Sequence, residues 1–567
     1  MQTYIPKSPR SPTGTPTFDQ GKLPQHKRGA QHDEGPPHVA IVKLRNPQEL
    51  DRGTLHGVAK TLSQLRALGL LSIVVLDCGI EAQRDVFGDQ ASTLCEAIDS
   101  FSKPGSKLVE NIAAASIREI GSDKTFIEDI CIEDGGRLQN ALAHGLIPII
   151  PALMRPDDIS APRAADANKF VLALTKYVLG SHSEGSEREF GRERVDKTLP
   201  RGQGIGIVER IIILDPLGAL PTPGRPGSSL RFVNLEQEFD GLLKQLGASE
   251  TPTTADKHSL KFSGMIHALN LNLAKEALSF LPSTSSALIT DPSAAANTTQ
   301  ATNLAKNASF LKHQLAFDFN GMVTTRRKKN PLLHNLLTDK PVLSSSLPCQ
   351  RVDGETSNGT SRTAMTATLI KQGMPLTIFP DPRAIAWTRP SSKGGRLRLT
   401  DKCIDLPRLV YLIEDSFGRK LNVEDYLARV NDNLAGVIVA GDYEGCAILT
   451  WELPDGLSDH DDANRARLVP YLDKFAVLRS RQGSGGVADI VFSAMVGDCF
   501  PQGVCWRSRK DNPVNKWYFE RSTGTYKLPG SNWSMFWTTP GLHSNHPRLQ
   551  DYESVCRKTE LSWIDSK

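Results

Sequence analysis

Four strongly apolar runs restrict what the first half of this chain can become. His38–Leu44 (HVAIVKL), Leu70–Asp77 (LLSIVVLD), Gly145–Pro151 (GLIPIIP) and Val208–Asp215 (VERIIILD) place Val, Ile and Leu at consecutive positions. A strand with one wet face alternates apolar and polar residues. A run without alternation is covered on both faces, as in a parallel sheet between helical layers. A helical pattern from Leu50 to Leu68 separates the first two runs, so strand, helix and strand follow one another as such a sheet requires. The expectation is an α/β fold: an αβα domain with an open, mostly parallel sheet over residues 38–380.

At 567 residues the chain is too long for a single core. With 39% hydrophobic and 23% charged residues it has an ordinary globular composition. A net charge of +4 is too small and dispersed for a nucleic-acid partner, although it suits a small anionic ligand. The apolar stretch Leu68–Leu76 is far too short to cross a membrane, so no membrane partner is expected. Nine scattered cysteines without repeated CxxC spacing read as reduced thiols, with no metal site. Residues 1–37, rich in Pro, Gly, Ser, Gln and Lys, read as disordered. Lys7 and Arg10 lie among prolines there, so no amphipathic transit peptide is legible. Residues 283–363 read as a weakly ordered insertion whose basic run Arg326–Lys329 is a solvated loop. Prolines at 380, 382 and 390 place a linker at 381–395.

Residues 396–567 form a second α/β domain in this reading. It opens with helical segments at Leu406–Phe417 and Val423–Val430, then strands at Leu434–Ala440, Cys446–Trp451 and Lys474–Leu478. The last strand runs into Ser480-Arg481-Gln482-Gly483-Ser484-Gly485-Gly486. Behind it comes a helix with Val487, Ile490, Val491, Ala494 and Met495 on one face. Glycines leave backbone N–H groups open, and a helix N-terminus behind them favours a phosphate or pyrophosphate. A further strand, Val504–Arg509, and a short helix, Asn515–Glu520, complete the segment.

That order of strand, Gly-rich loop, helix, strand and short helix resembles the GNAT acetyltransferase superfamily, in which it holds the pyrophosphate of CoA. The finer text is Tyr471–Phe475 (YLDKF), Ser480–Gly483 (SRQG), Phe500–Arg509 ending in CWRSR, and Asn512–Phe519 (NPVNKWYF). It closely resembles N-acetylglutamate synthases of the fungal and animal type. The first half is similar to that family's amino-acid-kinase-like domain through Gly145–Pro151, Leu214–Gly218 (LDPLG) and Phe232–Glu238. A rival, Arg201–Gly206 (RGQGIG), fits the superfamily's R-x-x-G-x-G pattern better but runs into a strand. Without a helix behind it, it lacks the dipole that would favour a phosphate.

The resemblance implies acetyl transfer from acetyl-CoA to the amino group of L-glutamate. It assigns acetyl-CoA to Phe475, Val477, Arg481, Gln482, Gly483, Ser484, Gly485 and Gly486, with Ser480 standing where the family keeps Arg or Gln. It assigns glutamate to Lys474, Arg507, Arg509 and Asn512, and to Arg419 where the family has a lysine. Tyr518, protonating the departing thiolate, and Asn512 are the catalytic candidates. Glutamate's two carboxylates call for at least two fixed cations, and Arg507 and Arg509, two apart on a strand, share a face. Taken alone, Arg507 and Arg509 also read as surface strand residues, and Tyr518 as a core aromatic.

In the first domain Lys43-Leu44-Arg45-Asn46-Pro47 stands where kinases of this type carry K-x-G-G. Side chains in place of the glycines keep the backbone away from a phosphate, so phosphoryl transfer is not expected. By resemblance the domain binds arginine as an inhibitor and drives homo-oligomerisation, with a complex with acetylglutamate kinase among the expected partners and the mitochondrial matrix as the location. Two other functions stay open at this point: a non-catalytic arginine-sensing subunit, and a GNAT enzyme with another amine acceptor.

Overall fold

The structure is a computed structural model. It describes residues 35–101, 103–120, 125–156, 161–180, 204–222, 229–247, 257–297, 330–338, 367–388, 397–458, 461–482, 486–542 and 546–564. The basic run Arg326–Lys329 and nearly all of segment 1–37 lie outside the described residues.

In chain order the first part supplies β1 (His38–Arg45), β2 (Leu71–Asp77), β3 (Ser106–Leu108), β4 (Ala113–Ile120), β5 (Thr125–Ile132) and β6 (Ile147–Pro151). It continues with β7 (Leu153–Met154), β8 (Arg163–Ala164), β9 (Ile207–Leu214), β10 (Phe232–Asn234), β11 (Ser286–Thr290) and β12 (Ala367–Lys371). One 8-stranded sheet runs β10-β12-β11-β9-β1-β2-β6-β3, while β4–β5 and β7–β8 form separate antiparallel pairs. Every pairing in the large sheet is parallel except β11–β12. In β2 every residue but Asp77 is buried, the pattern its unbroken apolar run requires. The helix Arg52–Ala67 covers β1 and β2 and is started by Asp51, whose carboxylate accepts the Thr54 N–H at 2.9 Å.

The expected insertion at 283–363 needs correction on its described part. Strand β11 is wholly buried and sits between β9 and β12. The helix Pro331–Thr338 follows Asn330, whose side chain donates to Thr61 Oγ at 3.0 Å on the helix Arg52–Ala67. β11 escaped notice because Ser-Ala-Leu-Ile-Thr has three apolar residues inside a Ser/Thr/Ala-rich text, too short for a period to emerge.

The second part supplies β13 (Leu376–Phe379), β14 (Leu434–Ala440), β15 (Gly445–Glu452), β16 (Val469–Val477), β17 (Cys505–Arg509), β18 (Gly524–Lys527) and β19 (Trp533–Trp537). They form a 7-stranded sheet in the order β13-β14-β15-β16-β17-β19-β18. β13 pairs antiparallel with β14, so the chain passes from one sheet to the other between Lys371 and Leu376, ahead of the expected linker at 381–395. β16 begins at Val469, five residues before the expected Lys474.

Alternation divides this sheet's side chains between two cores. Ile438, Ala440, Ala447 and Leu449 face the helices Val487–Ala494 and Asn515–Arg521, together with Phe492, Trp506 and Phe536. Val437, Val439, Cys446 and Ile448 face the helices Leu406–Phe417 and Val423–Val430. Among the described residues Trp506 is the largest fully buried side chain, and it stacks on Phe536 with centroids 5.7 Å apart and planes at 12°. The two parts also meet directly: Ile490 of the helix Val487–Ala494 packs into the first core.

Burial of the whole indole of Trp506 makes Trp506→Ala cost about 3–5 kcal/mol. Urea unfolding should show its midpoint falling accordingly; a loss well under about 1 kcal/mol would contradict this packing.

Candidate active site

Strands β16 and β17 are neighbours, yet they pair only at Tyr471↔Cys505. Each has another partner, β15 for β16 and β19 for β17, so beyond Tyr471 the two separate and open a cleft within the sheet. β16 carries a bulge at the same place. Ile448 stands opposite Lys474 and Leu449 opposite Leu472, which leaves Asp473 as the extra residue. In a regular strand Asp473 and Lys474 would point to opposite faces. Here Lys474 Nζ donates to Asp473 Oδ2 at 2.9 Å.

Asp473 has two more partners. Tyr426 OH donates to Oδ2 at 2.9 Å, and Arg429 Nη2 donates to Oδ1 at 2.6 Å. Burial alone would raise the Asp473 pKa; Lys474 and Arg429 outweigh it and hold the carboxyl well below the usual range. Burial pushes the Lys474 ammonium the other way, lowering its pKa, and Asp473 resists. The Lys474 ammonium also lies 4.9 Å from the Tyr426 ring centroid and 5.5 Å from that of Trp563. Arg507 reaches the same face of the sheet. It donates to the backbone carbonyls of Cys556 and Thr559 and stacks over Trp533 at 4.2 Å. Arg429 continues outward, with Nη1 3.9 Å from Glu452 Oε1, into a cavity of about 370 Å³ that Trp451, Lys558 and Glu560 also line.

The other expected residues are placed differently. Arg509 is exposed, with its Nε 3.2 Å from Asp511 Oδ1. The Asn512 side chain is engaged locally, donating to Ser508 Oγ at 2.9 Å and accepting the Val514 N–H at 3.0 Å. Arg419 is exposed in the turn between the helices Leu406–Phe417 and Val423–Val430. Tyr518 is buried among Trp506, Trp517 and Phe536, and burial raises its pKa, so the phenol keeps its proton.

On the cleft's other side, Phe475 packs against Trp517 and Phe492, with centroids 5.6 and 6.1 Å apart. The Val477 N–H donates to Ser416 Oγ at 3.1 Å, and its carbonyl accepts from the Gln482 side chain at 3.0 Å. Both polar backbone groups of Val477 are therefore engaged. Arg481 pairs with Glu444 at 3.0 Å. Gly483, Ser484 and Gly485 lie outside the described residues. Gly486 caps the helix Val487–Ala494 at φ 71°, a conformation that side chains resist. In the rival RGQGIG segment Arg201–Gln203 lie outside the described residues, and β9 follows directly. A Cβ on Gly204 or Gly206 would come within 2.8 Å of Val178 O or Val39 Cγ2, so close packing accounts for these glycines.

At the ends of β1, β2 and β9 the polar groups satisfy each other. Lys43 Nζ donates to Asn168 at 2.7 Å and lies 3.3 Å from Asp77. Arg45 pairs with the fully buried Asp215 at 3.1 Å, and Asn270 donates to the other Asp215 oxygen at 2.8 Å. The eight cysteines among the described residues are free thiols. No group of His, Cys, Asp and Glu suited to a metal occurs among the described residues.

Sequence reasoning missed Asp473, Tyr426, Arg429 and Trp563. Only Asp473 lay in a quoted motif, and a bulge leaves no mark in apolar periodicity.

Comparison with known proteins agrees with the second fold. Residues 396–558 match the family model described as NAT, N-acetyltransferase, of N-acetylglutamate synthase. The amino-acid acetyltransferase, mitochondrial, of Podospora anserina is 46% identical, covering 97% of this chain and 80% of its own. The protein of the same name from Neurospora crassa is 46% identical over 98% and 79%. Among solved structures, N-acetylglutamate synthase from Neisseria gonorrhoeae, complexed with coenzyme A and N-acetyl-glutamate, superposes with a TM-score of 0.40 at 12% identity. It covers 88% of this chain and 94% of its own. With near-half identity sustained along almost its whole length, the chain belongs to the family of mitochondrial amino-acid acetyltransferases.

Proposed function

We propose that the protein is an N-acetylglutamate synthase: it transfers the acetyl group of acetyl-CoA to the α-amino group of L-glutamate, releasing CoA and N-acetyl-L-glutamate. The observation that carries this reading is the opened, bulged junction of β16 and β17, with Lys474 and Arg507 on one face and a Gly486-capped helix beyond the strand's end.

Each part has a chemical task. Acetyl-CoA supplies the thioester. Gly483–Gly486, Arg481 and Gln482 hold its pyrophosphate, since open backbone N–H groups at a helix start favour phosphate. Lys474 and Arg507 fix the acceptor's carboxylates as charged donors, with Arg509, Asn512 and Arg419 closing on them as the acceptor enters. The neutral amine attacks the thioester carbonyl, and a backbone N–H of Phe475–Val477 stabilises the resulting oxyanion. Because Val477 now gives its N–H to Ser416, this role falls first to Phe475. As the carbon–sulfur bond breaks, Tyr518 gives the thiolate its proton; its raised pKa keeps the phenol protonated at neutral pH. Water takes the amine's proton.

The first domain regulates in this reading. Arg45 and Lys43 are committed to Asp215 and Asp77, at strand ends where a kinase would expose phosphate-binding backbone. Arginine as inhibitor, homo-oligomers and a complex with acetylglutamate kinase belong to the same proposal. So does the mitochondrial matrix, since the relatives are mitochondrial amino-acid acetyltransferases.

The test is CoA release by the purified protein given acetyl-CoA with glutamate, lysine or ornithine, with and without arginine. Release with glutamate alone, lowered by arginine, is expected. A folded protein that binds CoA yet stays silent with glutamate would instead be a regulatory subunit.

Asp473 supplies a second prediction. Its folded pKa lies below the unfolded value of about 4, so its contribution to stability is complete above that pH and lost as pH falls. Asp473→Asn leaves the buried Lys474 without its anion and weakens the pairing of the part-buried Arg429, and should cost about 3–5 kcal/mol at pH 7. Urea melts should show the gap to wild type shrinking below about pH 4; a gap unchanged between pH 7 and pH 3 would contradict the network.

A further inference from the structure

Three of the five residues assigned to glutamate come from unrelated places: a helix–helix turn (Arg419), the β16 bulge (Lys474) and β17 (Arg507). One stretch of chain, from the end of the helix Pro547–Lys558 through Ile564, reaches all three places. The carbonyls of Cys556 and Thr559 receive the Arg507 guanidinium. The Trp563 ring lies 5.5 Å from the Lys474 ammonium, which is also 4.9 Å from the Tyr426 ring. The segment is then laced to the turn next to Arg419 by backbone bonds: Asn422 N–H donates to Ser562 O at 2.9 Å, and Ile564 N–H donates to Lys420 O at 3.1 Å. Leu421 and Trp563 form an isolated antiparallel bridge. Trp563 is 8% exposed, and its ring meets Phe417 at 5.1 Å.

We infer that the segment Thr559–Ile564 is a strap that holds the acceptor site together, with Trp563 as its positioning residue. The inference rests on the glutamate-site reading above and adds to it a part from outside the motifs. The indole does two things. With Tyr426 it flanks a buried ammonium that has one carboxylate partner, and aromatic faces attract cations where water is excluded. It also packs on Phe417, the last residue of the helix that leads into the Arg419 turn, so the turn's position relative to Lys474 depends on the ring. A carboxylate entering this site would meet cations already in place and give up less freedom on binding. The strap should thus act on the acceptor side first, because its bonds run to Arg507, Lys420 and Asn422 and its ring stands by the Lys474 ammonium.

The experiment is steady-state kinetics of the full chain, with each substrate varied in turn, for wild type, Trp563→Ala, Trp563→Phe and Ile564→Pro. Ile564→Pro removes the N–H that ties the strap to Lys420 and leaves the ring intact. The expected result is a rise in KM for glutamate on the order of tenfold in Trp563→Ala, with KM for acetyl-CoA unchanged. Trp563→Phe should restore most of it, and Ile564→Pro should shift KM for glutamate in the same direction. A KM for glutamate that stays put in Trp563→Ala, or both KM values rising together, overturns the inference. Should Trp563→Ala fail to fold, Ile564→Pro decides by the same criteria. Wild type silent with glutamate overturns this inference together with the functional reading; an active wild type beside an indifferent variant overturns the strap alone.

Discussion

The contact between Asp473 and Lys474 could not exist in a regular strand, and the arrangement of the acetyltransferase half depends on it. One extra residue in β16 turns two neighbours onto the same face. A lysine buried there would be costly on its own. The adjacent carboxylate, itself tied by Tyr426 and Arg429, makes the burial tolerable. The bulge lies where β16 parts from β17, so the fixed charges stand beside a cleft lined by strand backbone. Cleft, charges and the turn into the Gly-rich loop all follow from the course of one strand.

The two sheets show how differently the same alternation can be used. In the first, unbroken apolar strands are covered on both faces, and the polar residues at their ends close on one another, as Arg45 does with Asp215. In the second, β14 and β15 bury both faces as well, but the neighbouring β16 carries two charges at its mid-strand bulge that require partners from outside the strand. Those partners come from a helix for Tyr426 and Arg429, and from the stretch beyond the last helix for Trp563. The helix Val487–Ala494 joins the halves, with Ile490 in the first core and Gly486 at its start. A Cβ on Gly486 would lie 3.8 Å from Phe232 and 3.9 Å from Lys371.

Much of this could be read from residues. The helices Leu406–Phe417 and Val423–Val430 and strand β14 lie where apolar spacing put them, because each has a clear period and a distinct stop. Strand β11 could not be read: five residues carry no period. The sheet that β13 joins could not be read either, since pairing is decided by partners far along the chain. At the site, Lys474 and Arg507 were found through motif text, and the structure brings them to one face. Arg509 and Asn512 stand apart from that network, engaged with Asp511 and with Ser508 and Val514. Trp563 had no motif to mark it. Its placement beside Lys474 comes from a return of the chain that no local pattern encodes.

The central claim is that fixed cations in this cleft select an acceptor with a second carboxylate. The most direct measurement is the ratio of kcat/KM for glutamate to that for glutamine, which has nearly the same shape but lacks that charge. The account predicts a preference for glutamate on the order of a hundredfold or more, since cations left facing a neutral amide lose their partner. Equal use of the two amino acids would contradict it.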